Sequence, residues 1–190
     1  MRGDNTVLSG IFFDPAPRVP GTVANFSFEQ DAAPVVGGVV PAVPTGWTAF
    51  NQRTAGDIGS QWAGGSSVEN TTNTPLTAPA DGNQYCYINM FTNGVAGGVY
   101  QDVGALQSNT TYTLTVAIGS RNDRTNSPGI ISLLNGTNNT GTVLATGGGL
   151  PGTQNTWLSY TASYNYRSFC RRGFNHGTVR YRCRNNSGGF

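Results

Sequence analysis

The chain is poor in charge and contains no lysine. Only 11% of its 190 residues are charged, and arginine supplies all eleven basic residues. This composition excludes a coiled coil, and a hydrophobic share of 37% is too high for an acidic disordered chain. No apolar run reaches the ~18 residues that a membrane helix needs. We therefore expect a globular domain without a membrane span.

Residues that bind metals or carry redox chemistry are also scarce. The sequence has three cysteines and one histidine. Three cysteines cannot all pair within one chain, so a disulfide framework is not indicated. The spacings typical of zinc hydrolases, phosphate-binding loops and EF-hands do not occur. No catalytic residue is assigned from the sequence.

The net charge of +2 conceals two unlike regions. Residues 1–166 carry five arginines against nine acids, whereas residues 167–190 carry six arginines and no acid. The acidic body and the small total argue against a nucleic-acid partner. We interpret residues 167–190 as an atypical arginine-rich tail. Our hypothesis is that a frameshift produced it, because shifting its codons by one nucleotide permits a turn followed by strand-like sequence.

Glycine, threonine and asparagine are abundant, and apolar residues alternate with them as in β-strands. The clearest case is residues 111–118, where Tyr112, Leu114 and Val116 alternate with threonine, which predicts a half-buried strand. Strands recur roughly every ten residues without helical periodicity, a pattern typical of an antiparallel β-sandwich. We predict an all-β jelly roll over residues 22–166. Its other predicted strands are 23–28, 46–50, 84–91, 99–103, 129–134, 142–146 and 156–164.

Residues 1–21 form an N-terminal extension ahead of this domain. Apolar residues cluster within it at positions 7, 8, 11, 12 and 13. Such a segment is either an exchanged strand, which docks on a neighbouring copy by β-addition, or a disordered leader. The sequence leaves both alternatives open.

Five separated motifs carry a resemblance to a known group of proteins. They read NFSFE at 25–29, PTGWT at 44–48, PADGNQY at 79–85, VYQDV at 99–103 and TYTLTVAIGSR at 111–121. In this order the chain resembles the jelly-roll domains of bacterial extracellular proteins that bear a PEP-CTERM sorting signal, which are relatives of galactose-binding-like and carbohydrate-binding modules. It is also similar to the calcium-dependent Stig cyclases. The resemblance implies an extracellular or cell-surface location and a final strand reading roughly DFDNVRL, which this chain lacks.

The resemblance further implies a structural calcium ion beside Glu29. Calcium takes oxygen ligands, and Asp31 and Asp102 are additional candidates. A second acid would come from the final strand, which is missing here. The alternative is that Glu29 is a solvated residue at a strand end.

Aromatic and amide side chains supply a candidate glycan-binding surface. Sugars stack on aromatic rings while amides bond their hydroxyl groups. The candidate ligand-binding residues are Trp62, Tyr85, Tyr100 and Gln101. Core packing is the alternative interpretation of each aromatic residue.

Three functions remain open. The first is a non-catalytic extracellular module that binds a polysaccharide or surface glycan, or serves in the cell surface or matrix. The second is a self-assembling subunit of an extracellular fibre or pilus-like filament, built by strand exchange. The third is a calcium-dependent Stig-type cyclase, which would use a carboxylic acid and aromatic walls inside the jelly roll, with Asp102 and Tyr100 as the candidates. We expect binding or assembly rather than catalysis.

Overall fold

The computed structural model describes residues 4–12, 21–63, 81–90, 96–120, 127–153, 156–175 and 178–185. Within these ranges every regular element is a strand, and every strand pairing is antiparallel. The same ranges hold no helix long and apolar enough to cross a membrane. The strands are β1 (Asp4–Phe12), β2 (Val39–Val40), β3 (Thr48–Phe50), β4 (Ile58–Trp62), β5 (Gln84–Met90), β6 (Gly98–Tyr100), β7 (Thr110–Gly119), β8 (Gly129–Asn135), β9 (Thr142–Gly149), β10 (Trp157–Tyr166), β11 (Ser168–Asn175) and β12 (Thr178–Asn185).

Six strands form the largest sheet, in the order β10-β7-β1-β5-β4-β2. The remaining strands form three two-stranded pairs, β3 with β6, β8 with β9, and β11 with β12. The β3–β6 and β8–β9 pairs pack against one face of the large sheet and form the second layer. The predicted all-β antiparallel sandwich is confirmed.

The core between the two layers has two parts. The first lies under β4 and β5 and consists of Phe28, Ile58, Cys86 and Ile88, with Ala49 of β3 and Val99 of β6 packed against them. The second lies under β7 and consists of Val116, Ile118, Ile131 and Ala162. The even-numbered residues of β7 therefore face the core, as their alternation with threonine predicts.

β1 belongs to the N-terminal extension and lies in the middle of the large sheet. It pairs with β5 from Asp4↔Met90 to Leu8↔Cys86. On its other side it pairs with β7 from Val7↔Gly119 to Phe12↔Thr115. The extension therefore contributes the strand that lies between β7 and β5 in the sheet.

The predicted strand at 23–28 is wrong, because this segment forms turns. The N–H of Phe28 donates to the carbonyl of Asn25 at 3.1 Å. Asn25 and Phe28 have φ angles of 48° and 62°, and left-handed backbone cannot continue a strand. The same segment still contributes Phe28 to the core.

The arginine-rich tail contains a hairpin made of β11 and β12. Its register places Arg171 opposite Arg182, and Cys170 opposite Cys183. Among the described strands, β11 and β12 pair only with each other. The frameshift hypothesis for this tail stays a prediction.

Candidate functional site

β7 and β10 present a row of polar side chains on the outer face of the large sheet. The two strands pair over their full length, from Trp157↔Gly119 to Tyr166↔Thr110. Because neighbouring residues point to opposite faces, the odd-numbered residues face away from the core. We call six of them the hydroxyl ladder: Thr111, Thr113, Thr115, Thr161, Ser163 and Asn165.

The hydroxyl ladder consists of three rungs, each closed by a hydrogen bond across the strands. The hydroxyls of Thr113 and Ser163 lie 2.9 Å apart, and those of Thr115 and Thr161 lie 3.3 Å apart. The amide of Asn165 donates to the Thr111 hydroxyl at 2.8 Å. The β10 members are exposed to solvent and the β7 members are exposed or half-buried. The ladder is thus an ordered, uncharged polar surface.

An aromatic cluster lies beyond one end of the hydroxyl ladder. Trp157 stands opposite Gly119, and a Cβ at Gly119 would lie 2.6 Å from the indole. The indole packs edge-on against Tyr85, with ring centroids 5.9 Å apart and planes inclined by 63°. Tyr85, Tyr87 and Ala63 form the buried part of this cluster.

Two of the predicted ligand-binding residues, Tyr85 and Trp62, belong to or adjoin this cluster. Tyr85 is fully buried, and its hydroxyl donates to the side-chain oxygen of Gln61 at 2.7 Å. Trp62 is the last residue of β4 and is half-buried. Its backbone N–H donates to the carbonyl of Gly38 at 3.0 Å. Neither residue belongs to the hydroxyl ladder. Their ligand-binding roles stay predictions.

The other two predicted ligand-binding residues, Tyr100 and Gln101, lie on the opposite layer. Tyr100 is half-buried at the end of β6 and packs at a tilt against Phe50, with centroids 6.5 Å apart. The amide of Gln101 accepts the N–H of Ala24 at 2.7 Å. It also donates to the carbonyls of Ala24 at 3.2 Å and Gly46 at 2.5 Å. Gln101 therefore holds together the loop that contains Ala24 and the loop that contains Gly46.

Glu29 connects the first turn of the domain to the start of β5. Its Oε1 accepts the backbone N–H groups of Asn83 at 2.6 Å and Gln84 at 2.7 Å. Gly82 allows this close approach, because a Cβ there would lie 2.3 Å from the same oxygen. This carboxylate oxygen holds the turn before β5.

Asp31 performs a similar task for the loop before β3. Its Oδ2 accepts the Thr45 N–H at 2.6 Å and the Asn25 amide at 3.1 Å, and its Oδ1 accepts the Thr45 hydroxyl at 2.6 Å. Asn25, which is buried, also donates to the carbonyl of Thr45 at 3.0 Å. The two side chains thus fix the loop before β3 on the first turn.

The third predicted metal ligand, Asp102, is exposed beyond the end of β6. Within the part of the chain that the structure describes, no three residues among His, Cys, Asp and Glu gather where they could hold a metal ion. Glu29 and Asp31 already accept hydrogen bonds. A calcium site there would need further oxygen ligands from the backbone. Calcium stays a prediction.

Sequence reasoning missed the hydroxyl ladder, although half of its signal is visible. The spacing of threonines at 111, 113 and 115 predicts one solvent-facing face of this strand. Residues 161, 163 and 165 repeat the same polar spacing on another strand. Only the register of β7 with β10 brings the two rows together.

Comparison with protein families gives a match over most of the chain. Residues 19–169 match the HpiC1-like family, described as HpiC1 cyclase. The chain belongs to the HpiC1-like cyclase family. The match begins after β1 and ends within β11. No curated protein and no solved structure matches the chain.

Family membership agrees with the similarity to Stig cyclases inferred from the sequence motifs. The likeness to PEP-CTERM proteins and to carbohydrate-binding modules stays a prediction. A shared fold does not fix an activity, because one fold hosts many functions. The function must therefore be argued from the residues of this chain.

Proposed function

We propose that this member of the HpiC1-like cyclase family is a non-catalytic module that binds a neutral glycan on the hydroxyl ladder. The observation that carries the proposal is the solvent-facing row of six uncharged polar side chains on β7 and β10. We further propose that it acts outside the cytoplasm, at the cell surface or in a matrix.

The chemistry of the ladder suits sugar hydroxyl groups. A threonine or serine hydroxyl has one donor and two acceptor sites, so the bond within each rung leaves hydrogen-bonding capacity for a ligand. Threonine is also stiff about its first side-chain torsion. A ligand would therefore meet groups that are already ordered, which reduces the entropy lost on binding.

The absence of charge within the ladder favours a neutral ligand. Its six side chains are five hydroxyls and one amide, and an ionic ligand would gain no counter-charge from them. The nearest charged neighbour in the described contacts is Arg167, which donates to the side-chain oxygen of Asn165 at 3.1 Å. It lies at one end of the row, so the central rungs stay uncharged.

The test is calorimetric titration with a panel of neutral oligosaccharides. The double variant Thr113→Val with Ser163→Ala removes the central rung while keeping strand-compatible side chains. The control, Thr142→Val, changes an exposed threonine at the start of β9. We expect the rung variant to lose at least tenfold in affinity and the control to bind as the natural chain does. Equal binding by both variants, or no binding of any oligosaccharide, would overturn the proposal.

Cyclase activity is the second candidate, and family membership supports it. Acid-catalysed cyclisation needs a carboxyl group able to donate a proton to the substrate. Three of the described carboxylates instead accept backbone N–H groups: Glu29, Asp31 and Asp57, the last from Thr54 at 2.8 Å. Asp102 is exposed rather than enclosed by aromatic walls.

The two candidates are separated by incubation with an isoprenylated indole, with and without calcium. This is the substrate class that the resemblance to the Stig cyclases of indole-alkaloid synthesis implies. Cyclisation changes retention but not mass, so chromatography with mass detection reports it. We expect the indole to be recovered unchanged. A cyclised isomer made by the natural chain and lost in Asp102→Asn would replace the non-catalytic proposal.

A further inference from the structure

The large sheet depends on a strand that the chain supplies from outside its domain. β1 lies between β5 and β7, with five residue pairs to each neighbour. On one side of it stand β7 and β10, and on the other stand β5, β4 and β2. Removing β1 would divide the sheet into two parts.

The site that β1 occupies is a slot with two complementary edges. Each edge presents backbone N–H and C=O groups that need partners, and an open edge of this kind is a template for another strand. The strands on both sides of the slot carry side chains that are almost fully excluded from solvent. These are Cys86 and Ile88 of β5, and Val116 and Ile118 of β7. An empty slot is therefore strongly unfavourable.

β1 is separable in sequence from the domain that it completes. It ends at Phe12, whereas the family match begins at residue 19. The segment between them contains prolines at 15, 17 and 20. Proline lacks the N–H that a strand ladder needs, and we call residues 13–20 the spacer between the strand and the domain.

We propose that β1 is exchangeable and that the slot between β5 and β7 accepts the β1 strand of a second copy of this chain. A strand from a second copy makes the same ladder with β5 and β7 as the chain's own strand. The balance between the two arrangements then depends on the spacer and on protein concentration rather than on new contacts. Reciprocal exchange gives a dimer in which each copy completes the other's sheet.

Cross-linking between two single-cysteine variants tests the exchange. Both variants carry Cys86→Ala, Cys170→Ser and Cys183→Ser, so that the introduced thiol is the only one in each chain. One carries Asn5→Cys and the other Asn89→Cys, which are directly opposite in the register. Opposite residues in antiparallel strands have Cα atoms about 4.5–5.5 Å apart, within the range that a disulfide spans. The mixture is refolded at high concentration with oxidised glutathione, which accepts the electrons of the two thiols.

We expect a covalent heterodimer on a non-reducing gel, more abundant at higher protein concentration. The control mixture pairs Asn5→Cys with Thr142→Cys, whose thiol lies on β9 in another sheet. It should yield no more than background.

A double variant, Asn5→Cys with Asn89→Cys in one chain, detects at low concentration the monomer in which β1 occupies its own slot. We expect an intramolecular link there. If this link forms but no heterodimer appears, β1 enters only its own slot and the proposal is wrong. If neither link forms, β1 does not occupy the slot and the proposal is also wrong.

Discussion

The indole of Trp157 packs edge-on against the ring of Tyr85, with ring centroids 5.9 Å apart. The contact spans the outer face of the large sheet from β10 to β5. Trp157 can pack over Gly119 of β7 because this glycine, its partner in the register, has no side chain. This contact lies beyond one end of the hydroxyl ladder.

Gly119→Ala should destabilise the fold through Trp157. The new methyl group would lie 2.6 Å from the indole, and overpacking of this kind costs about 1–3 kcal/mol. A double-mutant cycle tests whether the indole causes this loss, with the free energy of unfolding measured in urea for each variant. In a Trp157→Leu background the same glycine substitution should cost clearly less, because the ring is gone. Equal costs in both backgrounds would show that the strain arises elsewhere.

Glu29→Ala should lower the free energy of unfolding by about 1–3 kcal/mol, because two N–H groups lose their acceptor. Those groups belong to Asn83 and Gln84. Glu29→Gln keeps an oxygen in the same place and should lose less. Thermal unfolding of both variants with calcium and with a chelator separates this role from metal binding. A large stabilisation by calcium in the natural chain, absent in Glu29→Gln, would instead support a calcium site.

Gln101→Glu should destabilise the two loops that Gln101 ties together. The substitution replaces an amide donor with an oxygen that faces the carbonyls of Ala24 and Gly46. We expect a loss of about 1–3 kcal/mol at pH 7, which diminishes as the pH falls and the new carboxyl takes up a proton. Gln107→Glu, an exposed side chain, is the control. A pH-independent loss would contradict this reason.

The Cys86 thiol should be inert and should make the fold sensitive to alkaline pH. Complete burial raises the pKa of Cys86 far above its ordinary value. The unfolded thiol ionises above about pH 8.5. Since the unfolded state then binds fewer protons, stability falls as the pH rises past that value, by up to about 1.4 kcal/mol per pH unit.

The check for Cys86 uses chains that carry Cys170→Ser and Cys183→Ser. Thiol reagents should modify the remaining cysteine only after unfolding. The stability advantage over the matching Cys86→Ala chain should shrink by about 1.6 kcal/mol between pH 8.5 and 10. Rapid labelling of the folded chain would contradict the buried, neutral thiol.

Strands with regular alternation could be predicted from the sequence, and strands built on small or polar residues could not. β7 follows directly from its threonine and apolar alternation. β4 does not, since Gly59, Ser60 and Gln61 are buried without being apolar. Gln61 is satisfied by donating to the carbonyl of Gly37 and accepting from Tyr85. Such partners come from distant residues and leave no local pattern.

The position of β1 could not be predicted for a related reason. Its apolar cluster left a strand and a disordered leader both open. That β1 pairs with both β5 and β7 depends on residues about 80 and 110 positions away along the chain. The resemblance implied a missing strand reading DFDNVRL. β1 begins with Asp4 and Asn5 and continues to Val7 and Leu8, and so shares several of its letters.

The turn at 23–28 shows the opposite failure, in which a local pattern misleads. Apolar Ala24, Phe26 and Phe28 alternate with Asn25 and Ser27. This pattern favours a strand, yet Asn25 adopts positive φ. Its side chain accepts the N–H of Gln30 at 3.0 Å, which stabilises the turn. Asparagine tolerates this backbone better than most residues.

The most direct test of the proposed glycan site is an NMR titration that follows the methyl groups of individual threonines. A neutral oligosaccharide should shift the methyl signals of Thr111, Thr113, Thr115 and Thr161, which belong to the hydroxyl ladder, and should leave Thr142 and Thr146 of β9 unchanged. Shifts confined to threonines outside the ladder, or none at saturating oligosaccharide, would contradict the proposal that this face is the binding site.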